Sequence, residues 1–276
     1  MTRAGEEQPG GSWLHFYAEE LRTTREARGM SQRGLASHTT YSYQQVCNVE
    51  AARRTPSQSF SREVDVALET GDRFQRILRR VLDDPFPEWF KGAAKEEQRA
   101  DRIRIYEAQV IPGLFQNEEY TRAQMNWGQP RMPAERLEIE VAGRLKRQEL
   151  LTRENPPFVW VILDESALLR PIGGRGVMTG QLQRLLREAE SPNIVIQIVR
   201  LRTDNHPGLD GSFTIWSYED HEDVVYAEGM MTGGIIERRQ DVASANLSYD
   251  LLQAVALDPG MSLDFIRSVL KDEYSA

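Results

Sequence analysis

The chain has 276 residues, 40% of them apolar and 28% charged, which suits about two folded domains and excludes a disordered polypeptide. Its longest apolar run, Phe158–Leu163, falls far short of the ~18–20 residues that cross a bilayer, and a single cysteine, Cys47, excludes an internal disulfide framework and a multi-cysteine zinc site. The net charge of −8 is uneven: residues 1–80 hold 12 arginines against 10 acids (+2) and residues 81–276 hold 22 basic against 32 acidic side chains (−10), so the first part can face phosphates while the second repels them.

The start, Met1–Ser12, is polar and acidic and lacks the apolar stretch of a secretory signal, so a soluble, cytoplasmic protein is expected. Leu14, Tyr17, Ala18 and Leu21 fall on one face of a first helix, which Gly29 closes. Ser31 caps a second helix with Leu35 and Ala36 inside, and after a polar break at Thr39–Tyr41, Ser42 caps a third with Val46 and Val49 inside. Arg53–Arg54–Thr55–Pro56–Ser57 is a basic loop, with Pro56 barring a helix before it. Two further helices are expected near Phe60–Glu69 and Arg73–Leu82. Five short helices over 13–82 make an all-α domain.

Residues 83–88, opening with Asp83–Asp84–Pro85–Phe86–Pro87 and its two prolines and two acids, read as a linker to an α+β domain over 89–276. Helices are expected at Trp89–Ala108, Asn117–Asn126, Pro133–Glu154, Val177–Glu190, Asp241–Ala256 and Ser262–Tyr274. Phe158–Leu163, Ile194–Leu201, Ser212–Tyr218 and Val224–Glu228 read as strands of a small sheet whose order is open.

The segment that carries function is Met30–Ser57. Two short helices joined by a tight turn let the second enter a major groove ~12 Å wide while the first braces it across the backbone. With Val46 and Val49 turned inward, Tyr43, Gln44, Cys47 and Asn48 project outward to read base edges. Gln and Asn amides pair bidentately with adenine. Gln32, Arg33, Ser42, Arg53 and Arg54 are the phosphate-contact candidates, Gln32 through its place at a helix start. Ser31–Gln32, Leu35–Ala36, Tyr41–Ser42, Val46, Val49–Glu50 and Arg53–Ser57 sit where the Cro/CI-like, xenobiotic-response-element (XRE) regulators place their counterparts, and the segment resembles the helix-turn-helix of that family. The resemblance implies a lambda-repressor-like five-helix domain. Three positions depart from it: Gly34 stands where the family usually has Glu, and Thr40 and Ala52 where it has glycine.

Beyond the linker, Trp89, Tyr106–Glu107, Ile111–Pro112–Gly113–Leu114–Phe115–Gln116 and Tyr120, then Arg144–Gln148, Leu163–Leu168 and His206–Phe213, resemble the second domain of actinobacterial WhiJ-like regulators, some of them described as antitoxin-like. That resemblance implies a transcriptional regulator whose second domain binds a small protein encoded nearby, or a ligand. The alternative is an antitoxin-like protein that neutralises its partner and regulates its own operon.

Other constellations carry less. Cys47 as a redox sensor lacks a resolving thiol. Gly173–Gly174–Arg175–Gly176 reads as a flexible loop rather than an anion cradle. Asp204, His206, Asp210, Asp220, His221 and Asp223 lack metal-ligand spacing, and Asp164–Glu165 reads as a helix cap rather than a carboxylate pair. Arg144, Arg147 and Gln148 fit an exposed face with a local Glu140–Arg144 pair, or a partner or core network. The Trp89–Tyr106–Tyr120 aromatics read as core. No nucleophile arrangement, metal set or cofactor motif is found, so no enzyme, cofactor or membrane partner is expected. One recognition helix reads too few base pairs for a genome, which points to a homodimer on an inverted-repeat operator in double-stranded DNA.

Overall fold

The computed structural model describes residues 13–82, 88–229 and 233–274, which form two compact units parting at residues 88 and 89. The expected loose start at Met1–Ser12 and the linker residues 83–87 lie outside the described residues.

The first unit contains α1 (Trp13–Ala27), α2 (Gln32–Ser37), α3 (Tyr43–Glu50), α4 (Gln58–Ala67) and α5 (Arg73–Leu82). The boundaries of α1, α2 and α3 have local causes. Gly29 takes φ +66 just past α1, and the backbone N–H of Met30 returns to the carbonyl of Arg25 at 3.1 Å, closing the helix end. Ser31 caps α2 by accepting from the N–H of Gly34 at 3.0 Å. Ser42 and Gln45 form a reciprocal capping box at the start of α3. The apolar stripes of these helices close on one core of Leu14, Tyr17, Leu21, Leu35, Val46, Val49, Phe60, Val64, Leu68, Phe74 and Leu78. α5 has its cap supplied from another helix: buried Asp65 of α4 accepts from the N–H groups of Phe74 (2.9 Å) and Gln75 (3.1 Å).

The second unit runs α6 (Glu88–Arg99), β1 (Arg102–Glu107), α7 (Glu118–Gly128), α8 (Ala134–Arg147), β2 (Phe158–Asp164), α9 (Glu165–Leu169), α10 (Arg175–Glu188), β3 (Ile194–Val199), β4 (Phe213–Ser217), β5 (Val224–Glu228), β6 (Gly233–Ile236), α11 (Arg239–Val255) and α12 (Pro259–Val269). Its sheet has the order β3-β2-β1-β4-β5-β6, parallel across β3, β2 and β1 and antiparallel from β1 through β6. One face packs Ile103, Ile105, Val161, Ile196, Trp216 and Tyr226 against α6, α7, α10 and α12; the other packs Tyr106, Ile162, Ile215 and Val225 against α11.

Two strands were not expected. Trp89–Ala108 was read as one helix, but α6 stops at Arg99 and the rest is β1, paired on both sides. Arg102–Ile103–Arg104–Ile105 alternates with period two, the signature of a strand, and both isoleucines are buried. β6, four residues with two glycines, carries almost no apolar pattern; it exists because Val225 and Tyr226 of β5 offer it a ladder. Pro133–Glu154 is likewise shorter as an α-helix, its last part being a tighter 3-10 turn at Gln148–Leu151.

Candidate nucleic-acid interface

The geometry of α3 begins with what holds it. Val46 and Val49 are fully buried, and Glu50 is drawn inward by Arg25 of α1. Arg25 grips the carboxylate with two donors, Nε to Oε1 at 2.5 Å and Nη2 to Oε2 at 3.0 Å, while its Nη1 donates to the Met30 carbonyl at 2.7 Å. Only 7% and 2% of the two side chains are exposed, so the pair is a buried fork that fixes α3 to α1 and to the turn before α2. Nothing in residue spacing marks this contact, since 25 residues separate its partners.

The turn between α2 and α3 is held without the glycine common in the resembling family. The Thr40 N–H and hydroxyl both donate to Glu63 of α4, at 2.6 and 2.9 Å. Tyr41 packs edge-on to Phe60 and bonds Ser57 and Ser59. Thr40 needs no left-handed backbone, but Ala52 takes φ +53, a conformation in which Cβ is strained.

The candidate base readers and phosphate contacts are placed as follows. Tyr43 and Gln44 are exposed and Asn48 is half-exposed; the Gln44 amide donates to Asn48 Oδ1 at 3.2 Å, so the two amides sit side by side, one helical turn apart. Arg33 stands over the Tyr43 ring at 5.2 Å, linking the two helices across their outer edge. Arg53 and Arg54 lie exposed in the turn after α3, with no ion pair among the described residues. The Ser42 hydroxyl is occupied by its cap.

Gln32 and Cys47 face each other instead of solvent. The Gln32 amide donates to Glu50 Oε2 at 2.8 Å and accepts from the Cys47 thiol at 3.2 Å. Its side chain thus extends the Arg25–Glu50 fork, and a phosphate near the start of α2 would meet backbone N–H groups before this amide. The outer surface of α2 and α3 therefore combines paired amides, an aromatic ring and three arginines, while Glu50 is neutralised inside and Glu63 is engaged by Thr40. This surface has the donors and acceptors to read base edges and the cations to hold a backbone.

In the second unit, Arg144, Arg147 and Gln148 form a core network and not a solvated face. Arg144 Nη1 donates to Gln116 (2.8 Å) and Gln124 (2.7 Å), Arg147 pairs with buried Glu97 at 2.9 Å, and Gln148 donates to the carbonyls of Gly113 and Gln116. Glu140 pairs with Arg136 rather than Arg144. Helical spacing placed these residues on one face correctly, but only the fold shows that the Ile111–Gln116 loop covers it. Asp164 caps α9 through the Ser166 N–H (2.8 Å), and Tyr106 and Tyr120 are core. Gly173 and Gly174 form a left-handed turn before α10, where a Cβ on Gly173 would press within 2.9 Å of Val177. His221 stacks on Tyr218 and bonds Asp220, and Asp223 pairs with Arg104; no cluster of three potential metal ligands occurs among the described residues. No helix among the described residues is long and apolar enough to cross a membrane.

Two families match the chain: a helix-turn-helix domain over residues 17–75 and a domain of unknown function (DUF5753) over residues 90–268. No curated protein and no solved structure matches it.

Proposed function

The chain belongs to the DUF5753 family and carries an N-terminal helix-turn-helix domain typical of DNA-binding regulators, and from this premise we propose that it is a sequence-specific transcriptional regulator of the XRE type. The observation that carries this reading is the split of α3 into a locked inner face, Val46, Val49 and Glu50, and an outer face presenting Gln44 and Asn48 together. Tyr43, Gln44 and Asn48 read base edges, with Cys47 turned to Gln32 behind them. Arg33, Arg53 and Arg54 hold the phosphates, joined by backbone N–H groups at the helix starts near Gln32 and Ser42, whose side chains are taken up by bonds within the protein. One short helix supplies only a few base pairs of specificity, so the protein works as a homodimer on an inverted repeat, its half-sites about one helical turn apart.

The second unit acts by binding and not by catalysis. Its net charge of −7, from 22 basic and 29 acidic side chains over residues 89–276, opposes DNA and favours a basic or polar partner. The resemblance to WhiJ-like regulators supports a small companion protein encoded nearby, working in the cytoplasm, whose docking alters operator occupancy. An antitoxin-like version of this reading makes the same DNA contacts; harm from the companion expressed alone separates the two.

The test is sequence selection from a random duplex pool, followed by titration of variants. Gln44→Ala weakens the selected site by ~1–3 kcal/mol and relaxes one base position. Arg54→Ala weakens all sequences evenly and lowers the salt slope by about one. Equal, sequence-independent losses in both variants refute the division of roles, and a monomer both free and on DNA refutes the dimer.

A further inference from the structure

The connections of the sheet reverse direction at one end, the place where open sheets form a crevice. From β1 the chain lays β2 and then β3 on one side, and afterwards returns to lay β4, β5 and β6 on the other. The carboxyl ends of β1, β2 and β3 share one edge, joined there by the carboxyl end of β5, and the order reverses between β1 and β4. In open sheets that reversal, outside the carboxyl ends of the strands, is where ligands are held.

The residues at this point are charged. Glu107 ends β1 on the face of Ile103 and Ile105, and Thr214 of β4 and Glu228 of β5 share that face through Trp216 and Tyr226. Arg144 of α8 and the Ile111–Gln116 loop lie over it, joined by the bond from Arg144 Nη1 to Gln116 at 2.8 Å; a Cβ on Gly113 would come within 3.5 Å of the Arg144 side chain. Thr214 stands on a central strand, yet its side chain is half-exposed and bonds nothing among the described residues.

Glu107 and Arg144 are both half-buried, close enough to feel one another's charge, and neither has an ion-pair partner within 4.0 Å among the described residues. The Ser212 hydroxyl lies close enough to favour the charged form of Glu107, and its oxygen accepts from the Ala108 N–H at 3.0 Å. Arg144 uses Nη1 alone, on the two glutamine oxygens, and leaves Nε and Nη2 without a hydrogen bond. Burial pushes the Glu107 carboxyl up to about 7 and pulls the Arg144 guanidinium down to about 10. A structural role explains neither the carboxylate nor the idle edge of the guanidinium. A glutamine at 107 would satisfy Ser212 without a charge to desolvate.

We propose that this crevice binds a small zwitterion of the amino-acid type, its ammonium held by Glu107 and its carboxylate by the free Nε/Nη2 edge of Arg144. A fork of two parallel N–H donors matches a carboxylate, and an ammonium supplies the donors that Glu107 lacks. Glu228, which already accepts from the Tyr226 hydroxyl at 2.6 Å, reinforces the acidic side and sets the preference for a cationic end. The inference rests on reading the second unit as the control module of a DNA-binding protein.

The experiment is calorimetry and thermal shift on the full chain with each of the common L-amino acids. For every hit, the matching amine without its carboxylate and the matching acid without its amine serve as controls. At least one amino acid is expected to bind at a single site, with both one-charge analogues, Glu107→Gln and Arg144→Gln at least ~10-fold weaker. Should Arg144→Gln fail to fold, Glu107→Gln, which removes a charge costly to the fold, carries the test. Binding by no amino acid, equal binding of a one-charge analogue, or full affinity in folded Glu107→Gln overturns the proposal. Gel shifts on the selected operator separate the two readings. An amino acid that binds as expected and leaves DNA affinity unchanged supports the site and removes its control role. Operator affinity that answers only to the companion protein, with no amino acid bound, overturns the site and leaves the regulator.

Discussion

Glu50→Ala tests the mechanism by which α3 is presented. The substitution leaves the Arg25 guanidinium buried with only the Met30 carbonyl and the exposed Glu26, 3.3 Å away, and it strips the Gln32 amide of its acceptor. Removing one partner of a buried ion pair costs ~3–5 kcal/mol because the remaining charge is neither solvated nor paired. The surviving Met30 bond keeps the loss near the lower end, about 3 kcal/mol. A unit of ~70 residues has only about 4–10 kcal/mol of stability, so α3 would open often. Cys47 reports that opening directly: it is the chain's single thiol, half-buried between α2 and α3 and bonded to Gln32. Labelling with a thiol reagent, run where closing outpaces reaction, should accelerate ~100-fold in Glu50→Ala, tenfold for each ~1.4 kcal/mol. The double variant Arg25→Met/Glu50→Leu replaces the fork with apolar side chains and should recover most of the loss. Labelling within about threefold of wild type in Glu50→Ala, or a double variant as labile as the single one, would refute the argument.

Three further outcomes follow from the same geometry. Ala52→Gly relieves a left-handed alanine at φ +53 and should raise the urea midpoint of the first unit, by ~1 kcal/mol, without altering DNA contacts. Gly208→Ala should lower the melting temperature of the second unit by several degrees, because its Cβ would fall on the buried Tyr106 ring. Glu107→Gln should stabilise the second unit more at pH 8 than at pH 5. Burial raises this carboxyl to about 7, so the wild-type advantage from keeping it protonated is complete below the unfolded value near 4.5 and is lost as pH rises through 7. Ser212 and Arg144 oppose the shift and Glu228 adds to it, and a difference of ~1–3 kcal/mol between the two pH values is expected from chemical denaturation. A flat difference would show that Glu107 is hydrated like a surface acid.

The sequence by itself determined whatever depends on neighbours along the chain. Ser31 and Ser42 mark helix starts because their hydroxyls satisfy N–H groups three residues on, and Gly29 marks a helix end because it alone enters the left-handed region freely. The stripe Leu14, Tyr17, Ala18, Leu21 and the pair Val46, Val49 likewise fix which faces turn inward, and so which face of α3 turns out. Tertiary structure decided the rest, because its causes lie far apart in sequence. Arg102–Glu107 became a central strand only with β2 and β4 beside it, and β6 only with β5. Gln32 turns to Glu50 because Arg25 holds that carboxylate there, and Arg144 Nη1 is engaged because the Ile111–Gln116 loop folds beside its helix. Burial sets the charge that Glu107 carries, and no periodicity in a chain encodes the depth to which a side chain sinks once distant segments close over it.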